Sequence, residues 1–307
     1  MKLQKIVHDY TLSYDYKKLR DETKVQYKYF MNIMLNTEVE GKPLCHYNID
    51  NITIRMAKTA YNEWCERGIH LANHAISVTR IIFNYGLSEE LCRANPFANV
   101  RKRAAERRKV VWGRGDVQKF LDVAYSDFST RNIGLIAQMA YEWCQRVGDM
   151  RLLTWDSLNL NDQIAHIKQS KRKAEVFLPI SDELHEMLVQ QHKDFGFQPY
   201  VAPRPRPIAG EYKPYTLHKL PLYARDVMDA AKLPKELRLS DLRRTGTTEM
   251  VDAGVGMAQI MSVTGHSNPQ SVQPYLKNTL ISADRALTDR KIHGKSITSA
   301  AKESDYT

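Results

Sequence analysis

The sequence predicts a mainly α-helical protein with a small β-sheet, an α+β chain divided into two domains. Three observations support this fold class. Apolar residues recur at helical spacing along most of the 307 residues. The spacing changes to alternation in the segments QIAHIKQ and AEVFLPI, which flank a polar turn. A basic run, RKRAAERRKV at residues 101–110, separates two apolar-periodic regions.

Residues 1–100 are predicted to form a small helical domain. Three segments place apolar side chains on one helical face. Those side chains are Val25, Tyr29, Phe30, Ile33 and Met34 in the first segment, Ile54, Ala57, Tyr61 and Trp64 in the second, and Leu71, Ala75, Val78, Ile82 and Tyr85 in the third. Gly68 is expected to end the second helix, and Gly86 to cap the third.

Residues 101–112 are predicted to be a basic linker between the domains. The run RKRAAERRKV contains six basic residues and one acidic residue, and it follows a helix-breaking Asn95-Pro96 pair. If the partner is DNA, such a linker would lie along the phosphates. A solvated helix face is the alternative interpretation.

Residues 113–284 are predicted to form the second domain, and the polar residues 285–307 a C-terminal tail. A β-hairpin is expected over QIAHIKQ and AEVFLPI, with SKRK as its turn. The proline-rich residues 195–215 are expected to form an ordered loop. Helices are expected from about Gly115, over NIGLIAQMAYEWCQR, after a Ser181 cap, and at about 221–231, 240–252 and 257–264.

The charge balance predicts a polyanionic partner. The chain has 45 Lys and Arg residues against 35 Asp and Glu, a formal net charge of +10. Nucleic acid is the most common partner of such a chain; an anionic membrane surface and an inert basic surface are the alternatives. No signal peptide or membrane-spanning run is visible, so no membrane partner is expected.

The cysteines predict neither a disulfide framework nor a metal site. None of the four belongs to a CxxC pair, which fits a reducing, intracellular setting. Cys45-His46 has no matching ligand pair elsewhere in the chain. We therefore expect no cofactor and no metal.

The segment GHSNPQSVQPY places Tyr275 nine residues after His266 in this basic chain. A phenol, with a pKa of ~10, is a poor nucleophile at neutral pH. To attack a DNA phosphodiester it would need cations on the non-bridging oxygens and an acid for the leaving 5′ oxygen. The candidate groups are Arg146, Lys171, Arg243, Arg244 and His266. Taken singly, each is more simply a surface charge, a solvated turn or a structural histidine.

Taken together, these residues resemble the tyrosine recombinase and integrase family. CQRVGDMRLLTWDSL resembles the first conserved box of that family, and KQSKRKAEVFLPI its β-hairpin with a catalytic lysine. LSDLRRTGTTEMVDAGVGMAQIMSVTGHSNPQSVQPY resembles the second box followed by the tyrosine. The resemblance covers most of residues 112–280. It implies a helical core-binding domain of the SAM-like type over residues 1–100 and a catalytic domain over 113–284, closing on duplex DNA as a C-shaped clamp.

The resemblance also implies a role for each candidate residue. Arg146 and Arg243 would bind the scissile phosphate, and Lys171 would protonate the leaving 5′ hydroxyl. His266 would hydrogen-bond the phosphate or assist proton transfer. Tyr275 would form a 3′-phosphotyrosyl link, without a metal. The implied assembly is a homo-tetramer on two double-stranded DNA sites, with a DNA-bending accessory protein as a further partner and the tail of residues 285–307 packing on a neighbouring subunit.

Three residues depart from the family pattern. Ser240 stands where the family usually has histidine, and it cannot act as a cation. Asp149 replaces a glutamate, and Cys144 replaces a glycine two residues before the first arginine.

The expected function is a site-specific recombinase, an integrase of a phage or other mobile element, acting on DNA in the cytoplasm of a bacterial host. A DNA-relaxing type IB topoisomerase is one alternative. A non-catalytic DNA-binding protein that retains the fold is the other, and Ser240 is the residue that raises it.

Overall fold

The structure of the chain, a computed structural model, describes residues 1–106, 108–171 and 173–275, together with residues 284, 287, 288 and 290–293. The chain divides into two compact units, Met1–Arg108 and Lys109–Thr307. Each unit has its own hydrophobic core. The predicted tail, residues 285–307, lies mostly outside the described residues.

The first unit is helical with one short hairpin. Its helices are α1 (Leu3–Leu12), α2 (Tyr14–Lys17), α3 (Asp21–Asn36), α4 (Ile54–Arg67) and α5 (Ile69–Ser88), and its strands are β1 (Glu38–Val39) and β2 (Lys42–Pro43). The two strands pair antiparallel. The hairpin was not predicted because strands of two residues are too short to show an alternating pattern.

Two details of the predicted helices are wrong. Val25, Tyr29 and Ile54 are exposed, whereas Met31 and other residues of α3 face the core. A helix with scattered apolar residues offers more than one apolar stripe, and tertiary packing selects among them. The predicted cap Gly86 is also inside α5, which continues to Ser88. Gly86 serves packing instead, since a Cβ there would lie 3.0 Å from the Cys92 sulfur.

The second unit combines seven helices with a three-stranded antiparallel sheet among its described residues. The helices are α6 (Arg114–Tyr125), α7 (Phe128–Glu142), α8 (Val147–Met150), α9 (Asp182–Phe195), α10 (Leu220–Ala230), α11 (Leu242–Asp252) and α12 (Met257–Thr264). The strands, in sheet order, are β3 (Leu158–Asn159), β4 (Ile164–Lys168) and β5 (Glu175–Pro179). The mainly α fold with a small sheet is thus confirmed.

The predicted hairpin is formed by β4 and β5. Ile164 pairs with Pro179 at its base, and Lys168 pairs with Glu175 next to the turn. Burial alternates along both strands, because successive side chains point to opposite faces of a sheet. The buried face joins the core of the unit, and the turn projects from that core with Lys171 exposed.

The predicted Ser181 cap and the predicted end of the helix at about 257–264 are also confirmed. The Ser181 hydroxyl accepts a hydrogen bond from the Leu184 amide at the start of α9. Gly265 ends α12 with a left-handed backbone, φ 68°, which glycine adopts without steric cost. The proline-rich segment after α9 contains no helix before α10.

The ends of the predicted linker are each fixed to one unit. In the first unit, the Arg103 amide donates to the Tyr61 hydroxyl at 2.6 Å, and the Asn73 side chain donates to the Arg103 carbonyl at 2.9 Å. In the second unit, the Trp112 amide donates to the Thr245 hydroxyl at 2.9 Å. Arg103 is thus hydrogen-bonded at the surface of the first unit, whereas Trp112 belongs to the core of the second.

Candidate active site

The C-terminal end of α12 gathers the polar groups of the site. The last carbonyls of a helix have no partner within the helix, and the end of the helix dipole favours cations. The Thr264 carbonyl accepts hydrogen bonds from Arg243 Nη2 at 2.9 Å and from Gln169 Nε2 at 2.8 Å. The Val263 carbonyl accepts from Gln145 Nε2 at 2.8 Å. Three segments distant in sequence therefore meet at one helix end.

Arg243 lies in the first turn of α11 and is only 8% exposed. Burial, and then the positive charge of Arg146, lower the pKa of its guanidinium to about 10. The group therefore stays charged at neutral pH. Its Nη1 is buried without a hydrogen-bond partner among the described residues. A buried cation with an unused donor is costly, and an anion entering the site would satisfy it.

Arg146 is the N-cap residue of α8, directly after the turn that follows α7. Its Nη1 donates to Gln169 Oε1 at 2.9 Å and lies 3.7 Å from Asp149 Oδ2. Arg146 and Asp149 therefore form an ion pair. The Arg146 side chain is 26% exposed and is therefore more accessible to solvent than Arg243.

The His266 ring lies between Arg243 and Thr264 and contacts both side chains. The Thr264 hydroxyl donates to the Ile260 carbonyl at 2.7 Å, so its oxygen accepts from His266 Nδ1, 2.8 Å away. His266 Nε2, 3.1 Å from Arg243 Nη2, then accepts from the guanidinium.

Tyr275 lies beside this cluster in a short 3₁₀ turn. Its ring centroid is 6.1 Å from that of His266, and the Arg244 guanidinium carbon lies 5.1 Å from the Tyr275 ring centroid. The second contact has the geometry of a cation–π interaction. The structure thus brings Tyr275, His266 and both second-box arginines together.

Lys171 lies at the exposed tip of the β4–β5 hairpin. The tip is fixed to the Arg146 segment, because Asp149 Oδ1 accepts from both the amide and the hydroxyl of Ser170. Lys171 is thus next to a residue anchored at the site. Ser240, at the usual histidine position, is exposed in the 3₁₀ turn before α11.

Three residues of the cluster were missed by sequence reasoning: Gln145, Gln169 and Thr264. All three are buried and polar, with exposures of 0%, 1% and 0%. Buried polar groups are normally hydrogen-bonded, so each is informative once burial is known. Glutamine and threonine carry no such signal in a single sequence, because both are usually surface residues.

Cys144 shows how the chain accommodates its departure from the family glycine. The residue adopts φ 50°, a left-handed conformation that glycine takes at little cost. Its buried thiol has a pKa raised to about 11 by burial, so it remains neutral and packs towards α11. The backbone two residues before Arg146 is therefore left-handed even though Cys144, unlike glycine, has a side chain.

Gly246→Ala is expected to destabilise the second unit by about 1–3 kcal/mol or more. A Cβ at Gly246 would lie 2.5 Å from the Tyr141 carbonyl oxygen and 2.7 Å from the Cys144 sulfur, so α7 and α11 would have to separate. Urea unfolding measures the loss. Gly115→Ala is the matched control, since a Cβ there would meet no atom within 4 Å, and it should be neutral or stabilising. Equal unfolding midpoints for both variants would contradict this account of Gly246.

Two other classes of site are not found among the residues that the structure describes. No helix in that part of the chain is long and apolar enough to cross a membrane. Within the same residues, no group of three or more His, Cys, Asp or Glu side chains could hold a metal ion.

Comparisons with known proteins agree on one family. The model of the phage integrase family matches residues 114–280, more than half of the chain. A tyrosine recombinase from Pseudothermotoga lettingae is 23% identical over 276 residues, which cover 85% of this chain and 88% of that protein.

Solved structures of integrases share the fold. A lambda integrase dimer bound to a COC′ core site aligns with a TM-score of 0.74 at 17% identity, over 91% of this chain and 78% of that one. The Tn1549 transposon integrase with circular intermediate DNA aligns with a TM-score of 0.73 at 18% identity, over 94% of this chain and 99% of that one. With the family model spanning the arginine boxes and the tyrosine, the chain belongs to the phage integrase family of tyrosine recombinases.

Proposed function

We propose that the chain is a site-specific DNA recombinase that cleaves and rejoins strands through a covalent 3′-phosphotyrosine. The observation that carries the proposal is the meeting of Arg243, His266 and the Tyr275 ring at the end of α12, with Arg146 attached through Gln169. Two guanidiniums beside a phenol supply the charge that a phosphodiester needs neutralised during attack.

The proposed reaction uses side chains of this chain alone. The Tyr275 oxygen attacks phosphorus, and the bond to the 5′ oxygen breaks. Arg146 and Arg243 hold the non-bridging oxygens, while His266 hydrogen-bonds the phosphate or assists transfer of the phenolic proton. Lys171 protonates the leaving 5′ oxygen. Attack by a free 5′ hydroxyl reverses these steps and rejoins the strands. The guanidinium and ammonium charges take the part that a metal ion has in other phosphoryl-transfer enzymes.

The test uses a nicked duplex that carries the direct repeat flanking the mobile element encoding the chain. We expect a covalent protein–DNA adduct that survives denaturation and forms in the presence of EDTA. Rapid relaxation of any supercoiled plasmid would instead favour a type IB topoisomerase. Specific binding without an adduct on several substrates would support a non-catalytic DNA-binding protein.

Assembly is part of the same proposal. The chain, with its net charge of +10, would bind duplex DNA, and its two units would close on the duplex. Four subunits would then act on two DNA sites. Lambda integrase, whose fold this chain shares, has been solved as a dimer on a core site and as a tetramer on a Holliday junction. Those assemblies support the proposal that this chain also acts as several subunits on DNA. A DNA-bending accessory protein and a tail that packs on the neighbouring subunit complete the proposal, in a bacterial cytoplasm.

Lys171→Ala is expected to slow cleavage of an ordinary phosphodiester by about 10²–10⁴-fold, the usual contribution of a general acid. Replacing the leaving 5′ oxygen with sulfur should restore most of that rate. A thiol has a pKa of about 8.5 and leaves without a proton. Single-turnover cleavage of both substrates measures the effect.

Lys168→Ala is the matched control for Lys171, since Lys168 lies on the same hairpin and pairs with Glu175 at 3.1 Å on the surface. It should cleave both substrates like the unmodified protein. If sulfur leaves the Lys171→Ala defect unchanged, Lys171 does not protonate the leaving oxygen.

A further inference from the structure

Gln169 occupies the point where the two arginine segments and the lysine hairpin meet. It precedes Lys171 by two residues and is 1% exposed. Its Oε1 accepts from Arg146 Nη1 at 2.9 Å. Its Nε2 donates to the Thr264 carbonyl at 2.8 Å, the same carbonyl that Arg243 uses. The Gln169 amide therefore binds Arg146 directly and is linked to Arg243 through the Thr264 carbonyl that both side chains contact.

The orientation of this amide is determined by its partners. A glutamine Nε2 has two hydrogens, and Gln169 donates one to Thr264 and the other to Gln145 Oε1 at 2.7 Å. Gln145 cannot offer a donor at that position, because its own Nε2 donates to the Trp143 and Val263 carbonyls. A flipped Gln169 would face its Nε2 towards a guanidinium and its oxygen towards two acceptors, which excludes that orientation.

Gly265 leaves the space that Gln169 fills. A Cβ at Gly265 would lie 2.5 Å from Gln169 Nε2 and 2.9 Å from its Cδ. Three hydrogen bonds hold the Gln169 amide in place, so the amide could not move away from such a Cβ without losing some of them. The glycine of the Gly-His pair thus serves two needs, a left-handed φ of 68° and close approach of the Gln169 amide.

The Gln169 amide lies between two arginines whose positive charges repel each other. Arg146 and Arg243 carry like charges close enough for Arg146 to disfavour the charged form of Arg243. Without a phosphate between them the two cations repel each other. The Gln169 oxygen accepts a hydrogen bond from Arg146, and the Thr264 carbonyl accepts one from Arg243. Gln169 Nε2 donates to that same carbonyl, so both arginines are held by groups that contact the Gln169 amide.

We propose that Gln169 is a positioning residue that sets the distance between Arg146 and Arg243 so that both guanidiniums reach one phosphate. The proposal rests on the proposed recombinase function. Gln169 touches neither substrate nor nucleophile in this account and acts through Arg146. Displacing a phosphate-binding group by about 1 Å can lower the rate about 10²-fold, so loss of the Gln169 amide hydrogen bonds should measurably slow DNA cleavage.

The test compares Gln169→Met with Gln191→Met. Both glutamines are 1% exposed in the second unit, and Gln191 likewise donates to a side-chain oxygen, Asn132 Oδ1, and to the Val201 carbonyl, each at 2.8 Å. Each variant exchanges a buried amide for an apolar side chain of similar length. Gln191→Met controls for lost stability, because Gln191 lies on α9 and makes none of the site contacts described above.

We expect Gln169→Met to lower the single-turnover cleavage rate about 10- to 100-fold with DNA affinity within about threefold. The defect should persist with sulfur at the leaving position, since it concerns the arginines and not the departing oxygen. In an Arg146→Lys background the same change should matter much less, because a residue acting through Arg146 is not additive with it.

Three outcomes would overturn the proposal. Equal rates for Gln169→Met and Gln191→Met would reduce Gln169 to a structural amide. Rescue by the sulfur substrate would place its effect on the Lys171 hairpin instead. A full additive loss in the Arg146→Lys background would show that it does not act through Arg146. If the unmodified protein and Gln191→Met form no adduct, the proposed recombinase function itself fails, and this proposal fails with it.

Discussion

Tyr275→Phe is expected to reduce covalent adduct formation to the detection limit, a loss of about 10⁵-fold or more, with DNA affinity within about twofold. The change removes one oxygen and keeps the ring that packs beside His266 and under the Arg244 guanidinium. The groups proposed to bind the phosphate keep their hydrogen bonds, so DNA binding should survive while the proposed nucleophile is lost. A denaturing gel of the nicked duplex, beside a binding titration at fixed salt, separates the two quantities.

Tyr223→Phe is the matched control for Tyr275. Tyr223 lies on α10, is 43% exposed and packs against the Tyr215 ring. Its variant should form the adduct at the rate of the unmodified protein. If Tyr275→Phe still forms a denaturation-resistant adduct, the nucleophile is a different residue, and the proposed roles of the surrounding cations must be reassigned.

Features with a local sequence signal could be predicted. The hairpin carrying Lys171 follows from alternation around a polar turn, and the end of α12 follows from a glycine after an apolar helix. Both signals depend on a few consecutive residues, because backbone conformation and side-chain direction are set locally. The family resemblance extended such signals to residues far apart, and the family match confirms it.

Features that depend on long-range packing could not be predicted. Gln169 reaches Thr264 across 95 residues, and Arg146 reaches Gln169 across 23. A polar side chain acquires such partners only after the helices and the hairpin have packed. The face of α3 was misjudged for the same reason, since its apolar residues, Val25 among them, permit more than one stripe. Hydrogen bonds in a buried cluster are a consequence of tertiary structure, and single-sequence patterns do not contain them.

The departures from the family pattern have different structural costs. Asp149 still reaches Arg146 at 3.7 Å and binds Ser170, so the shorter acid serves both the arginine and the hairpin. Cys144 adopts a left-handed backbone, a conformation that glycine takes at little steric cost. Ser240 is exposed and can donate a hydrogen bond without supplying charge. In the proposed mechanism, neutralisation of the phosphate then depends on the two arginines, of which Arg243 has a buried donor that is unused within the part of the chain that the structure describes.

Arg243→Ala is therefore expected to slow cleavage by about 10³–10⁵-fold, comparable with the loss of an arginine that stabilises a phosphoryl-transfer transition state. Stability should change far less. The variant removes a buried cation whose pKa is lowered to about 10, so at neutral pH it also removes a charge that folding disfavours. The Thr264 carbonyl keeps its hydrogen bond from Gln169. Single-turnover cleavage and urea unfolding of the same preparation measure both effects.

A substrate without charge at the scissile position distinguishes electrostatic from structural effects of Arg243. In a methylphosphonate one charged oxygen is replaced by a methyl group, so there is less negative charge for a guanidinium to neutralise. The Arg243→Ala defect should shrink substantially on that substrate. Arg243→Lys should remain defective on the ordinary phosphodiester. A single ammonium nitrogen cannot replace both Nη2, which contacts Thr264 and His266, and Nη1, whose donor is unused among the described residues and is the group proposed to bind the phosphate. A defect of the same size on both substrates, or parallel loss of cleavage and folding, would mean that Arg243 supports the site and does not bind the phosphate.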